Sequence, residues 1–134
     1  MNEQDAELFN DSFERCQRHQ GFLDRFYELF LGSSEGVASK FAHTDFVKQT
    51  RRVKVSLYLL MALGSSPPEA DTHLERIAEL HSKRQLDIGP ELYDLWLECL
   101  LRAVSEFDPK FNKDVDQAWR AVLAPGIQFM RSRY

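Results

Sequence analysis

Leu74-Glu75-Arg76-Ile77-Ala78-Glu79-Leu80-His81 repeats its apolar residues at helical intervals and closes the stripe with an imidazole. Leu74, Ile77 and Leu80 fall on one side of a 3.6-residue period. The breaker Ile88-Gly89-Pro90-Glu91 follows, so the spacing predicts a helix from about Glu69 to Arg84. Upstream, Phe46-x-x-Gln49-x-x-x-Val53 sets one amide donor on an otherwise apolar helical face. Two such helices facing each other would enclose a flat apolar space, with a neutral imidazole on one wall and a hydrogen-bond donor on the other.

The same periodicity recurs along most of the chain, and no segment sustains the period-two alternation of a half-buried strand. The expectation is an all-α single domain over residues 1–134, with six substantial helices and one short one. The first covers Glu3 to His19, with Leu8, Phe9, Phe13 and Cys16 on one face. After Gly21 a second runs from Phe22 to Leu31 and buries Phe22, Leu23, Phe26, Tyr27 and Phe30. Gly32-Ser33-Ser34 breaks the chain before a short helix from about Glu35 to Phe41 and a corner at Ala42-His43. Thr44 reads as an N-cap, with Asp45 as first-turn acid, for a helix reaching about Leu63. Gly64-Ser65-Ser66-Pro67-Pro68 is the clearest loop. Beyond it, Gly89-Pro90 opens a helix carrying Leu92, Trp96, Cys99, Ala103 and Phe107, ending near Asp108-Pro109. Asn112 reads as the N-cap of the last helix, which carries Val115, Trp119, Val122 and Met130; Pro125-Gly126 is expected to kink or pause it.

Composition narrows the function. The chain has 134 residues and a formal charge of −4, so no general attraction to phosphate backbones is expected. Lys48, Arg51, Arg52 and Lys54 form a local basic run, read first as a solvated helix face. Cys16 and Cys99 lie far apart, without CxxC or metal-type spacing, and read as buried thiols in a reducing compartment. The acidic start lacks the pattern of a signal peptide, and the longest apolar run, Val55 to Leu63, is too short to span a bilayer. A cytoplasmic protein is expected, with no nucleic-acid or membrane partner.

A lone imidazole on an apolar face leaves open that His81 is a hydrogen-bonded core histidine. The order of the surrounding elements argues for more. A flat apolar space between His81 and Gln49 suits a haem, and from roughly Phe22 to Met130 the chain resembles a globin of the single-domain bacterial kind, close to the haem domain of flavohaemoglobins. The resemblance rests on residues in register. His81, with Leu74 and Ile77 before it and Ile88 after it, matches the proximal histidine and its haem-packing neighbours. Phe41 matches the phenylalanine that wedges against the porphyrin, and Phe26-Tyr27 the aromatic pair whose tyrosine reaches over the iron. Gln49 falls at the distal ligand-facing position, with Phe46 on its stripe, Arg52 three residues on, and Val53 where a small side chain lines the ligand space. Tyr93 matches a tyrosine just after the proximal region.

The resemblance implies one haem b held through His81, with iron as the metal and a five-coordinate site open to dioxygen, nitric oxide or carbon monoxide. Ser82 or a backbone carbonyl one turn back would fix the imidazole. The Tyr27 hydroxyl and the Gln49 amide would each stabilise a polar bound gas by roughly 1–1.5 kcal/mol. Alternatives stay open for each: Tyr27 sending its hydroxyl to a backbone carbonyl, Gln49 pointing to solvent, and Arg52 either meeting a haem propionate or being one more surface cation. His43 and His73 are rival ligands, and His19 looks exposed. No reductase module is expected beyond the globin-like region, and the last helix offers no clear counterpart of the glutamate that orients the proximal histidine of flavohaemoglobins. Reversible gas binding is therefore the first reading. Nitric oxide or peroxide detoxification with an external reductase, and a gas-sensing or interaction role, are the alternatives. A monomer or homodimer is expected.

Overall fold

The computed structural model describes residues 3–62, 76, 78, 79, 81, 82 and 89–134, with the backbone alone at 56 and 58–62. These residues form six helices: α1 (Glu3–Gln17), α2 (Phe22–Leu31), α3 (Glu35–Lys40), α4 (Phe46–Ala62), α5 (Pro90–Phe107) and α6 (Lys113–Ser132). Arg76, Ala78, Glu79 and His81 are also helical, and no strand occurs among the described residues. None of the described helices is long and apolar enough to cross a membrane.

Local chemistry sets most of the boundaries. Ser34 Oγ accepts from the Val37 N–H at 3.1 Å and starts α3. Asn112 Oδ1 does the same for Val115 at 2.9 Å and starts α6. Pro90 occupies the first turn of α5, where its missing N–H costs nothing. That helix stops at Asp108, whose extended backbone (φ −96°, ψ 107°) suits a residue preceding proline. The cap of α4 is Asp45 rather than Thr44: its Oδ1 accepts from the N–H groups of Val47 at 3.0 Å and Lys48 at 3.3 Å. α1 ends at Gln17, two residues short of the expected His19. α6 passes through Pro125-Gly126 without a break in its helical assignment, so the expected pause is not seen.

Amphipathic faces decide the packing. α1 lies mainly on α6 and α2 mainly on α5, while α5 and α6 also touch and α4 leans on α6. Phe9 and Phe13 from α1 meet the edge of Trp119 with ring centroids 4.6 and 5.9 Å apart. All three rings are essentially solvent-free. A buried polar knot ties the same region together. Arg15 donates to both oxygens of Asp108 at 2.6 and 3.0 Å, Ser12 Oγ donates to Asp108 at 2.6 Å, and Trp119 Nε1 donates to Ser12 Oγ at 2.9 Å. Both oxygens of the Asp108 carboxylate accept hydrogen bonds, Oδ1 also from the Lys110 N–H at 2.9 Å, which is the condition for burying a carboxylate without a large desolvation cost.

Two apolar clusters result. The larger runs through α1, α2, α5 and α6 and takes in Val37, Val53 and Leu57. The smaller holds Ala78 against Phe129 and Met130 of α6, with Tyr93 of α5 packed beside them. This second cluster is what fixes the His81 segment to the body of the protein.

Candidate functional site

His81 lies one turn beyond Ala78, and Ser82 closes the turn through its N–H to the Glu79 carbonyl at 3.1 Å. The imidazole is largely withdrawn from water, and burial alone pushes its pKa below the usual histidine value. It is therefore neutral at pH 7, with one ring nitrogen free to offer a lone pair. Its Nδ1 sits 3.4 Å from the Tyr93 hydroxyl, the rings 6.5 Å apart and inclined by 42°. Tyr93 is itself half-buried, and burial pushes its pKa up to about 12, so the phenol stays protonated.

Among the described residues the hydrogen-bond partner of the His81 ring is Tyr93, not Ser82. The Ser82 hydroxyl is buried and makes no hydrogen bond among the described residues. A buried hydroxyl left unpaired costs on the order of 1–3 kcal/mol, so it is a group waiting for an acceptor or donor from elsewhere. With Nδ1 engaged by Tyr93, Nε2 is the nitrogen left for a ligand. No group of three or more His, Cys, Asp and Glu converges among the described residues.

The distal candidates assemble on a second wall. Tyr27, only 5% exposed, stands among Phe26, Phe41 and Phe46 with centroid separations of 4.8, 6.1 and 5.4 Å. Phe41, the residue capping α3, stacks on Phe46, the first residue of α4, at 6.2 Å and 28°. Val53 is buried one helical face along from Phe46, Gln49 is half-buried between them, and Arg52 is exposed. The Tyr27 hydroxyl donates to the backbone carbonyl of Gln49 at 3.5 Å. This is the backbone option left open above, and at the limit of hydrogen-bond length it is weak. Burial raises the Tyr27 pKa well above the ordinary phenol value, the Gln49 contact offsetting this only in part, so the residue is a neutral donor.

The structure therefore brings Tyr27, Phe41, Phe46, Gln49 and Val53 together in one group and His81 with Tyr93 in another. The two groups belong to separate apolar clusters. Ile77 and Ile88 lie outside the described residues, as do Leu74, Leu80 and His73. His19 and His43 are exposed. Two residues unremarked in the sequence, Ala78 and Phe129, form the floor beneath Tyr93. The signal for Ala78 was a small residue one turn before the histidine, on the same stripe as Ile77 and His81.

Comparison with known proteins bears on the family and the fold. A family model described as Globin matches residues 25–128. A crystal structure from Pseudomonas aeruginosa PAO1, of a protein described as structurally highly homologous to a human hemoglobin, superposes with a TM-score of 0.92. The two chains are 38% identical, over 97% of this chain and 98% of the other. No curated protein matches the chain.

Proposed function

Because the chain belongs to the globin family, we propose that it holds one haem b through His81 and reversibly binds a diatomic gas, dioxygen in the first place. The haem, when bound, supplies an iron that accepts one imidazole on one side and leaves the other open to the gas. The observation that carries this reading is the half-buried, neutral His81 with Nδ1 turned to Tyr93 and Nε2 left over.

Each residue then has a physical task. The phenol oxygen of Tyr93 accepts the Nδ1 proton of His81 and so sets the tautomer and the plane of the ring. A neutral phenol is a weaker acceptor than a carboxylate, so it orients the imidazole without charging it. Among the described residues no carboxylate touches His81, and the part of α6 nearest it presents Phe129 and Met130. Such a surrounding favours holding a ligand over pushing electrons into it. Phe41 and Phe46 exclude water from the distal wall, and Ile77 and Ile88 would do so beside His81. Arg52, exposed at the rim, suits a propionate.

Tyr27 donates to a polar gas once its hydroxyl rotates from the Gln49 carbonyl, a small loss given the 3.5 Å length. The Gln49 amide adds a second donor. Tyr27→Phe removes one hydrogen bond of about 1–1.5 kcal/mol, so dioxygen should leave roughly tenfold faster, with a smaller change for carbon monoxide. Stopped-flow release rates for both gases measure this; equal effects on the two gases would contradict it. The reading as a whole is tested by loading the protein with haem, reducing it and cycling oxygen. Reversible oxygen-dependent spectra are expected. Irreversible oxidation in the first cycle, or rapid conversion of nitric oxide to nitrate by the oxygenated protein, would replace it with an enzymatic reading.

A further inference from the structure

α4 has two faces. Phe46, Gln49, Val53 and Leu57 point one way; Val47, Lys48, Arg51, Lys54 and Val55 are all exposed on the other. At about 100° per residue these five fall within an arc of roughly 120°, centred opposite Val53. Val47 and Val55 are the most exposed large hydrophobic residues described, at 73% and 54%. Two helical turns apart, they flank Arg51, with Lys48 and Lys54 on either side.

The charge pattern sets this face apart. α4 carries Lys48, Arg51, Arg52 and Lys54 and no acid, within a chain whose net charge is −4. Elsewhere arginines lie against carboxylates: Arg15 on Asp108, Arg25 on Glu106, Arg120 on Glu98 and Arg131 on Asp94. Lys48, Arg51 and Lys54 form no ion pair among the described residues. The neighbouring acid, Asp45, already uses Oδ1 to cap the helix.

We propose that the outer face of α4 docks an acidic electron-donor protein. This rests on the haem-binding reading, because α4 is the helix whose inner face carries the distal wall. An α-helix is about 10–12 Å across, so a donor seated on Val47, Arg51 and Val55 is separated from Gln49 and Val53 by one helix thickness. The transfer is a single electron from the partner's reduced flavin or iron–sulfur cluster to the oxidised haem iron; no bond or proton changes place. A cationic centre with an exposed valine at each end, about 12 Å long from residue 47 to residue 55, matches the small interfaces of transient redox complexes. Clustered charge of one sign steers such encounters. An anionic membrane is disfavoured because a surface-lying helix inserts its broad apolar face, and that of α4 is already in the core.

The test uses the full chain, with and without haem, against a plant-type [2Fe–2S] ferredoxin and a flavodoxin, both acidic, and basic cytochrome c as control. Amide shifts on adding either acidic protein should concentrate at residues 47–55 and disappear at high salt. The triple reversal K48E/R51E/K54E, folded by circular dichroism, should lower the reduction rate by ~10–100-fold at low salt, as should high salt for the unaltered protein. Arg52 is left intact because of its place at the rim. Shifts centred elsewhere, an unchanged rate in the reversed variant, or binding only to phosphatidylserine vesicles would overturn the proposal. A normal Soret band alongside such a result leaves haem binding standing; loss of that band without any variant is the failure of the haem reading itself.

Discussion

His81→Gly should bind haem without the spectrum of the unaltered protein, and free imidazole added to the solution should restore it. On the proposed reading the imidazole supplies the iron's nitrogen ligand, and its Nδ1 faces the Tyr93 hydroxyl at 3.4 Å. If His81 holds the iron, removing it deletes that attachment while leaving the apolar side chains able to retain a porphyrin. Added imidazole has the right shape to reoccupy the space beside Tyr93. The alternative, that His81 is a hydrogen-bonded core histidine, predicts a destabilised protein whose haem spectrum is unchanged. Absorption spectra before and after imidazole addition separate the two. Acid should mimic the substitution. Burial lowers the folded pKa of His81 below the ordinary 6.5, so the folded state takes up this proton later than the unfolded chain. Stability from this group is therefore complete above about pH 6.5 and is lost as pH falls through the lowered value.

The largest stability effect is expected far from the haem. Asp108→Ala strips the acceptor from Arg15 and Ser12 at once and loosens the Ser12–Trp119 link behind them. Breaking a buried ion pair by deleting one partner typically costs ~3–5 kcal/mol, or a fall in Tm of roughly 10–20 °C for a domain of this size. Arg15 keeps 19% exposure, which lets water soften its loss and argues for the lower end of that range. Asp108→Asn should fall between, since it retains an acceptor but no charge. The pH dependence has a definite sign. Burial pushes the Asp108 carboxyl up, yet Arg15, Ser12 and the Lys110 N–H together hold it below the ordinary value of 3.8. A depressed carboxyl contributes stability that is present above that value and drains away as pH falls through the folded one. Thermal melts of the unaltered and Asp108→Ala proteins should keep their separation from pH 7 to about pH 5 and draw together only as pH falls through 3.8 and below. A separation that persists unchanged well below pH 3.8 would show that the knot carries no titrating contribution.

The parts of this structure governed by neighbouring residues were legible in the sequence. Ser34, Pro90 and Asn112 act within one turn of themselves, and α2 begins and ends where its phenylalanines predict. Thr44 and Asp45 are adjacent and both competent caps; only the backbone path out of the Ala42-His43 corner chooses between them. The pairing of His81 with Tyr93 goes with Ala78 meeting Phe129, more than fifty residues away in the sequence, so periodicity could not select Tyr93 over Ser82. The Asp108 knot spans nearly a hundred residues and was invisible for the same reason. α6 shows the limit of a local rule: Pro125 removes one N–H, but with its neighbours Gly126, Phe129 and Met130 buried, packing holds the helix together across it.

The central claim is that one haem is held through His81 with a side left open to a diatomic gas. A single absorption spectrum tests it most directly: purified protein, titrated with haem, reduced and exposed to carbon monoxide. One equivalent of haem per chain and a sharp, shifted Soret band of a histidine–carbon monoxide complex are expected. A titration without a saturable Soret band, or a reduced spectrum that carbon monoxide leaves unchanged, would contradict it.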